Sequence, residues 1–167
     1  GWDAKTGAFY YESNEGSPLR SAVYKTDAKG RKSCLTTEKG VNSSIFSTTL
    51  SYFMNTYSNV NTPPVVTLRD NQGKTLKVLE DNVTLKQALA SRAVGHKELF
   101  TFRTPEGVEL NGWMLKPVDF DASQKYPVIM YQYSGPGSQE VKDSWSIGFY
   151  RDGGLLESYW ASEGYIV

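Results

Sequence analysis

The stretch that decides most about the fold is an apolar run that ends in a Gly-Pro-Gly turn, residues 126–139 with the sequence YPVIMYQYSGPGSQ. A short apolar run without polar alternation is typical of a strand that is buried on both faces. The glycine and proline residues that follow predict a loop at the end of this strand. Loops held by a rigid sheet often carry functional residues. We therefore interpret this stretch as a buried strand that leads into a candidate active-site loop.

Composition excludes several classes of partner. Lys plus Arg and Asp plus Glu number 18 each, so the chain has no basic field that would attract nucleic acid. Cys34 and His96 are the single cysteine and the single histidine. One of each cannot form a disulfide framework or a structural zinc site. We expect no nucleic-acid partner, no metal and no cofactor.

The first 81 residues read as short strands separated by turns. Residues 27–30 and 70–73 carry turn sequences, DAKG and DNQG. A strand recurs every ~8–12 residues, which suits a sandwich, barrel or propeller. A four-stranded propeller blade takes ~40–45 residues, so nearly two blades would fit. The predicted strands are residues 8–13, 21–26, 33–36, 44–48, 50–57, 64–68 and 75–79.

A helical segment separates this part of the chain from the rest. Thr84 and Gln87 have the spacing of a capping box, in which the threonine is the N-cap residue. Gly95 is the predicted end of this helix. We place the domain boundary within residues 82–95.

The remainder, residues 96–167, has a different pattern. Residues 99–103 and 108–115 predict a hairpin around the turn at 105–107, and residues 128–131 predict a fully apolar, buried strand. A helical stretch then follows, and its apolar residues predict one broad buried face. Gly164 is expected to end this helix, and a last strand begins at Tyr165. The order hairpin, buried strand, helix, strand is typical of the start of a mostly parallel α/β sheet. The residues of the predicted helical face are Trp145, Phe149, Leu155, Leu156, Tyr159 and Trp160.

Several short motifs resemble one known family. They are Asn14-Glu15 after a tyrosine-rich strand, VLEDN at residues 78–82, and KYP at residues 125–127 leading into YSGPGSQ at residues 133–139. Together they resemble the dipeptidyl peptidase IV branch of the prolyl oligopeptidase family of serine peptidases. The resemblance implies a β-propeller over an α/β-hydrolase domain, and an activity that releases N-terminal dipeptides, usually with Pro or Ala at the second position.

The same resemblance implies a domain organisation for this chain. The fold class is mixed β and α/β. Residues 1–81 would be the last blades of the propeller, residues 82–95 a helical linker, and residues 96–167 the first part of the hydrolase sheet. The chain would thus be an internal fragment of a longer enzyme.

Tyr133 is the catalytic residue that the resemblance implies. Acyl transfer builds negative charge on the carbonyl oxygen, and α/β-hydrolases place one donor to that oxygen on the loop after the third strand. A phenol hydroxyl is a suitable donor there. Tyr133 is also one of 11 tyrosines, and its ring could simply pack at the end of a strand. No further substrate-binding residue is assigned.

The sequence lacks the rest of a serine-peptidase triad. It contains no G-x-S-x-G, and around Ser138 the two glycine places are taken by Pro136 and Glu140. His96 precedes the predicted sheet, whereas the triad order in this fold is Ser, then Asp or Glu, then His. We expect these 167 residues to be inactive alone. The alternative interpretation is a non-catalytic β-rich binding module or an inactive relative of the family.

Partners and location are also expectations at this point. The resemblance implies a peptide substrate and an extracytoplasmic location, in the periplasm or at the cell surface. Residues 1–3 do not begin a signal peptide, and the apolar runs fall far short of the ~20 residues that cross a bilayer. An open propeller and an open sheet would expose strand edges, which favour pairing with a second copy. A homodimer is therefore a candidate assembly.

Overall fold

The computed structural model describes residues 1–92, 94–132, 135, 137–145, 148 and 154–167. The chain divides into two compact units. The first unit comprises Gly1–Asn59 and Pro63–Asn82, and the second comprises Val60–Thr62 and Val83–Val167.

The first unit begins with a four-stranded antiparallel sheet. Its strands are β1 (Trp2–Asp3), β2 (Ala8–Ser13), β3 (Ala22–Thr26) and β4 (Lys32–Cys34), and they are neighbours in that order. Asp27 closes the β3–β4 turn, because its Oδ1 accepts from the backbone amides of Lys29 and Arg31, both at 2.9 Å. The hairpin predicted around this turn is confirmed.

A second four-stranded sheet completes the first unit. Its strands are β5 (Val41–Phe46), β6 (Tyr52–Asn59), β7 (Thr62–Asp70) and β8 (Thr75–Glu80), again neighbours in chain order. Asp70 closes the β7–β8 turn by accepting from Gln72 N at 2.9 Å and Lys74 N at 3.0 Å. The β5–β6 turn was predicted one residue long, but it is wider and includes Leu50, which adopts a positive φ of 55°.

One aromatic core joins these two sheets. It contains Tyr10 from β2 and Phe53 from β6, with Phe46 packed between them at ring-centroid distances of 5.0 Å and 4.8 Å. Alternation along β2 explains the burial: Ala8 and Tyr10 point into the core, and Phe9 points out. Two antiparallel four-stranded sheets with a shared core are consistent with propeller blades, as predicted.

A buried asparagine network holds the second sheet of this unit. Asn42 is fully buried, and its Nδ2 donates to Ser21 O at 3.0 Å and Glu38 O at 3.1 Å. Asn55 Nδ2 donates to Asn42 Oδ1 at 3.0 Å across the β5–β6 pair. Burial without such partners would be costly, so the network fixes the register of the two strands.

The second unit starts with a short helix, α1 (Val83–Ala90), none of whose residues is buried. The helix begins one residue before the predicted N-cap, so the capping-box prediction for Thr84 is wrong: Thr84 lies inside the helix. It also ends before Gly95, the predicted stop. Asn82 precedes it with a φ of 53° and donates through Nδ2 to Pro64 O at 2.6 Å. That bond fixes the chain at residue 82 and sets the start of the helix.

The predicted hairpin of the second unit is confirmed. Strands β9 (Lys97–Arg103) and β10 (Glu109–Leu115) pair antiparallel along their whole length. The segment 60–62 also belongs to this unit, and its Asn61 binds the start of β9. Asn61 Oδ1 accepts from Lys97 N at 2.9 Å and Asn61 Nδ2 donates to Lys97 O at 3.0 Å.

Two short segments extend this hairpin sideways. Leu115 and Val167 exchange both backbone hydrogen bonds, at 2.8 and 3.0 Å, which is the pattern of an antiparallel pair. On the other side, Val128 and Ile166 form a parallel bridge, with Ile129 N donating to Ile166 O at 2.8 Å and Ile166 N to Pro127 O at 3.0 Å. The lateral order is therefore β9, β10, residues 165–167, residues 127–129.

The strand predicted at residues 128–131 differs from expectation in its burial. Ile129 packs with the core of Leu115, Ala161 and Val167, but Val128 is 64% exposed and Met130 is 83% exposed. Side chains alternate between the two faces of an extended segment. One face of this segment is therefore covered by the core and the other is not, so the prediction of a strand buried on both faces is wrong.

Helix α2 (Leu155–Ser162) matches the predicted apolar face only in part: Trp160 packs against the core, Leu155 and Tyr159 do not, and Phe149 lies outside the described residues. Its buried residues are Glu157 and Ala161, while Leu155 and Tyr159 are exposed. Residues 157 and 161 lie one turn apart on the face toward the core. The predicted end of the helix is confirmed: Gly164 has a φ of 87°, its amide donates to Ala161 O, and Tyr165 N donates to Trp160 O, both at 3.1 Å. This is a Schellman motif.

Candidate functional site

The candidate site lies where the segment of residues 127–132 ends. Tyr133, the predicted oxyanion donor, lies outside the described residues, as do Ser134 and Pro136. Its role stays a prediction. The described residues on either side, 128–132 and 137–141, show how the chain is held before and after it.

A single carboxylate links these two flanks. Glu140 Oε2 accepts from the Tyr131 hydroxyl at 3.1 Å, and Glu140 Oε1 accepts from the Ser138 hydroxyl at 2.7 Å. Both Tyr131 and Glu140 are half-buried. Hydrogen bonds to an ionised acceptor are roughly twice as strong as those between neutral groups. The Glu140 carboxylate therefore contacts Tyr131, which precedes Tyr133 in the chain, and Ser138, which follows the Gly-Pro-Gly sequence.

The described residues after the segment 127–132 include Gly135 and Gly137, the two glycines of the Gly-Pro-Gly sequence. Gly137 has a φ of 79°, a left-handed value that glycine adopts without steric cost. Ser138 N donates to Gly135 O at 3.3 Å, and Gln139 Nε2 donates to Val141 O at 2.8 Å. These bonds connect Ser138 and Gln139 to described residues close by in the sequence.

An open groove of about 640 Å³ runs beside these residues. Tyr131, Ser138, Gln139 and Glu140 line its polar part. Its other walls are largely apolar side chains from the uncovered face of the β9–β10 sheet and of the segments beside it. The apolar residues include Phe100, Phe102, Leu110, Val128, Met130 and Ile166.

Ser138 and His96, two other side chains with catalytic potential, share no hydrogen bond in the described residues. The Ser138 hydroxyl is exposed and bound to Glu140, with no histidine among its hydrogen-bond partners in the described residues. His96 is exposed just before β9. Within the described parts of the chain, no three His, Cys, Asp or Glu side chains come together in a way that could hold a metal ion. Nor does any described helix have the length and apolar character needed to span a bilayer.

Buried charges near α2 were missed by the sequence analysis. Glu157 is fully buried, Lys97 is 6% exposed, and the Lys97 ammonium lies 4.9 Å from the centroid of the Trp113 ring. The Lys97 Nζ and Glu157 Oε2 both lie within 3.5 Å of the point that a Cβ on Gly154 would occupy. Opposite charges in a buried site attract each other, which offsets part of the cost of burying them. The sequence gives only a weak signal, a glutamate between the aromatic residues of a helix.

Comparisons with known proteins agree with the motifs. A family model described as the dipeptidyl peptidase IV (DPP IV) N-terminal region matches residues 1–64. The probable dipeptidyl-aminopeptidase B of Pyrenophora teres f. teres is 31% identical over 173 residues, which cover 99% of this chain and 18% of the relative.

Solved structures extend the similarity over the whole chain. The crystal structure of Porphyromonas gingivalis dipeptidyl peptidase 4 superposes with a TM-score of 0.90 at 46% identity, covering 100% of this chain and 23% of that one. A putative dipeptidyl aminopeptidase IV from Bacteroides ovatus gives a TM-score of 0.81 at 27% identity, covering 99% of this chain and 23% of that one. The chain thus spans about a fifth of the length of the relatives that it matches. On these matches, the chain belongs to the dipeptidyl peptidase IV family.

Proposed function

We propose that this chain is part of a serine dipeptidyl peptidase, which releases N-terminal X-Pro or X-Ala dipeptides from peptides by acyl transfer. Family membership supports the substrate class. In this proposal residues 1–81 are the last propeller blades, residues 82–95 a helical linker and residues 96–167 the first part of an α/β-hydrolase domain. The substrate is a peptide, the location is extracytoplasmic, and a homodimer stays a prediction.

The observation that carries the proposal is the parallel pairing of Val128 with Ile166. Parallel neighbours require a crossover connection, usually a helix, and α2 lies in the chain between these two segments. An antiparallel hairpin followed by a parallel pair with a helical crossover is a mixed α/β sheet. This supports a hydrolase domain that begins at the hairpin of β9 and β10.

The direction of the parallel pair supports a role for Tyr133. In open α/β sheets, functional groups gather beyond the carboxyl ends of the parallel strands. Tyr133 follows in sequence directly after residue 132, at that end of the segment 127–132. A hydroxyl donor at this position would stabilise the oxyanion of the tetrahedral intermediate. The nucleophile, the acid and the histidine are absent from these residues, so the proposed mechanism assigns them to other parts of the full-length enzyme.

Hydrolysis of Gly-Pro-p-nitroanilide tests this proposal. We expect the full-length protein to be active and the isolated 167-residue segment to be inactive. Tyr133→Phe in the full-length protein should lower kcat by roughly 10²–10³-fold, the usual loss for one oxyanion donor. The matched control is Tyr159→Phe, which removes an exposed hydroxyl on α2 and should leave kcat within about twofold.

Two results would contradict the proposal. A full-length protein that folds but does not hydrolyse the substrate would favour the binding-module alternative. An active protein whose Tyr133→Phe variant keeps wild-type kcat would remove Tyr133 from the mechanism while leaving the peptidase activity in place.

A further inference from the structure

The turn between β6 and β7 makes contacts that the proposed function does not use. Its residues, Val60 and Asn61, belong to the second unit together with Thr62, whereas β6 and the rest of β7 belong to the first unit. The chain thus enters the second unit at residue 60 and leaves it after residue 62. We refer to residues 60–62 as the strap.

The side chain of Asn61 takes the place of a strand neighbour for the first residue of β9. Leu115 is the partner of Lys97 in β10 and binds Val167 with its own backbone groups, so the backbone groups of Lys97 point away from β10. Asn61 Oδ1 accepts from Lys97 N at 2.9 Å, and Asn61 Nδ2 donates to Lys97 O at 3.0 Å. A carboxamide offers an acceptor and a donor, as a peptide group does. The strap therefore satisfies the free edge of β9 at a residue that is only 6% exposed.

A second contact holds the strap from a different part of the chain. Val60 N donates to Asp143 Oδ1 at 3.2 Å. Both residues are buried, so little solvent competes for this bond. Val60 and Asn61 are adjacent in the turn, whereas their partners Asp143 and Lys97 are far apart in the sequence. The strap thus contacts two separate segments of the second unit at once.

The position of Lys97 is also fixed by contacts other than those of the strap. Its ammonium lies 4.9 Å from the centroid of the Trp113 ring, and β9 pairs with β10 along its whole length. The site on which the strap docks is therefore held by the hairpin itself. It follows that the strap can leave this site while the hairpin stays paired.

We propose that the strap is a latch, which docks on the second unit and leaves it as one piece while the rest of that unit stays folded. Of its three residues only Val60 is buried, so it is held largely by hydrogen bonds. Segments with few buried apolar contacts open locally at a smaller free energy than the whole protein. When docked, the latch covers backbone groups at the outermost strand of the unit, and such groups are open to pairing with another chain once they are exposed.

Hydrogen exchange of the full-length protein, followed by mass spectrometry, tests whether the two contacts open together. In Asn61→Ala the amide of Lys97 loses its acceptor and should exchange faster. The decisive amide is that of Val60, whose own partner Asp143 is unchanged. If the strap opens as one piece, this amide should also exchange faster, by roughly 10-fold, because the loss of one contact favours release of the other.

The reciprocal variant is Asp143→Ala. It should speed exchange at Lys97 by roughly 10-fold, although the bonds between Lys97 and Asn61 are untouched. If Asp143→Ala fails to fold, Asp143→Asn keeps the shape and an acceptor oxygen but removes the charge, and should change exchange in the same direction by roughly threefold. The matched control is Asn71→Ala, in the turn at the other end of β7, where the side chain contacts the exposed Gln72. It should leave both amides unchanged.

The amides of β10 are the internal reference, because the latch should open without unfolding the hairpin. Faster exchange at Val60 and Lys97 in both variants, with β10 unchanged, would support the latch. Three results would overturn it: a variant that affects only the amide whose partner it removes, an equal acceleration in β10, or no change at either amide. Since the readout does not use peptidase activity, each of these results leaves the proposed function standing.

Discussion

The two units differ in how their sheets are covered. In the first unit, the inward faces of two sheets bury each other, and Tyr10 and Phe53 are 2% and 1% exposed. In the second unit, α2 packs on one face of the sheet, where its Ala161 lies in one core with Leu115 and Val167 of the sheet. The opposite face leaves Phe102 46% exposed. We expect substitutions on this exposed apolar face of the second unit to be tolerated.

The difference follows from how each sheet is connected. Antiparallel neighbours in the first unit are joined by short turns, so each hairpin brings its own partner. The parallel pair of Val128 and Ile166 in the second unit is joined through α2, and one crossover covers only one face. Sheets with parallel strands are normally covered on both faces. The first unit is therefore the better packed of the two within these residues.

Replacing one phenylalanine in each unit gives the largest expected contrast. Phe53→Ala should lower the free energy of unfolding of the first unit by roughly 3–5 kcal/mol, because it opens a cavity in a closed aromatic core. The matched change Phe102→Ala should cost less than about 1 kcal/mol, because that ring is half in solvent. Hydrogen exchange with mass spectrometry would follow the amides of β6 and β10 separately. Equal losses of unfolding free energy in the two units would show that both faces of the sheet in the second unit are covered.

Adding a methyl group to one glycine in each unit sharpens the same contrast. A Cβ on Gly40 would lie 2.2 Å from the backbone oxygen of Ser58, and the residue has a φ of 156°. A Cβ on Gly112 would lie 2.5 Å from the far end of the Phe100 ring, a side chain that is 38% exposed on the uncovered face. We expect Gly40→Ala to cost about 2–4 kcal/mol and Gly112→Ala less than about 1 kcal/mol. A Gly112→Ala variant as unstable as Gly40→Ala would contradict this view of the second unit.

Local patterns explain what could be predicted from the sequence. Strand β2 has the predicted bounds, Ala8–Ser13, because alternation and the following turn are encoded in adjacent residues. The turns that begin at Asp27 and Asp70 were found for the same reason: each aspartate binds the backbone amides two and four residues later. Gly164 ends α2 through its own left-handed conformation.

The errors concern features that depend on distant parts of the chain. An apolar run shows that a segment is extended but not which of its faces is covered, and Val128 and Met130 turned out to be exposed. The helical pattern put Leu155 and Tyr159 inward, whereas Glu157 is buried beside Lys97. Such a glutamate looks polar in sequence, and its charged neighbour Lys97 comes from a distant part of the chain.

The candidate site also combines a feature that the local sequence predicts with a contact that it does not predict. The glycine and proline residues after the segment 127–132 predict a loop, and Gly137 has a left-handed conformation that glycine adopts without steric cost. Glu140 was recognised only as the residue that replaces a glycine in a nucleophile motif. Its bond to Tyr131 spans nine residues and corresponds to no spacing of a helix or strand, so no periodicity signal could reveal it.

The smallest expected contrast concerns a charge pair in the first unit. Glu38 pairs with the guanidinium of Arg69, which is buried and also donates to Thr67 Oγ1 at 3.0 Å. Burial tends to raise the pKa of Glu38, but the hydrogen bond from Arg69, backbone hydrogen bonds from residues 37 and 38 and the charge of Arg69 together outweigh it, so the pKa lies below its ordinary value of 4.5. The folded state therefore favours the ionised form more than the unfolded state does. The resulting stability is fully present above the unfolded pKa and is lost as the pH falls through the folded pKa.

Comparing the wild type with Glu38→Gln isolates this contribution, because other carboxylates with lowered pKa values, such as Asp27, titrate in both proteins. We expect the difference in the free energy of unfolding between the two proteins to shrink as the pH falls from 5 toward 3, and urea unfolding of the first unit would measure it. This difference should be smaller than the losses expected for Phe53→Ala and Gly40→Ala.

The matched change in the second unit is Glu106→Gln. The pKa of Glu106 is also lowered, first by a hydrogen bond from Thr104, but its carboxylate is exposed on a turn and has no buried arginine beside it. Its difference from wild type should therefore depend less on pH than that of Glu38→Gln, and the reverse order would show that the buried Arg69 does not govern the titration of Glu38.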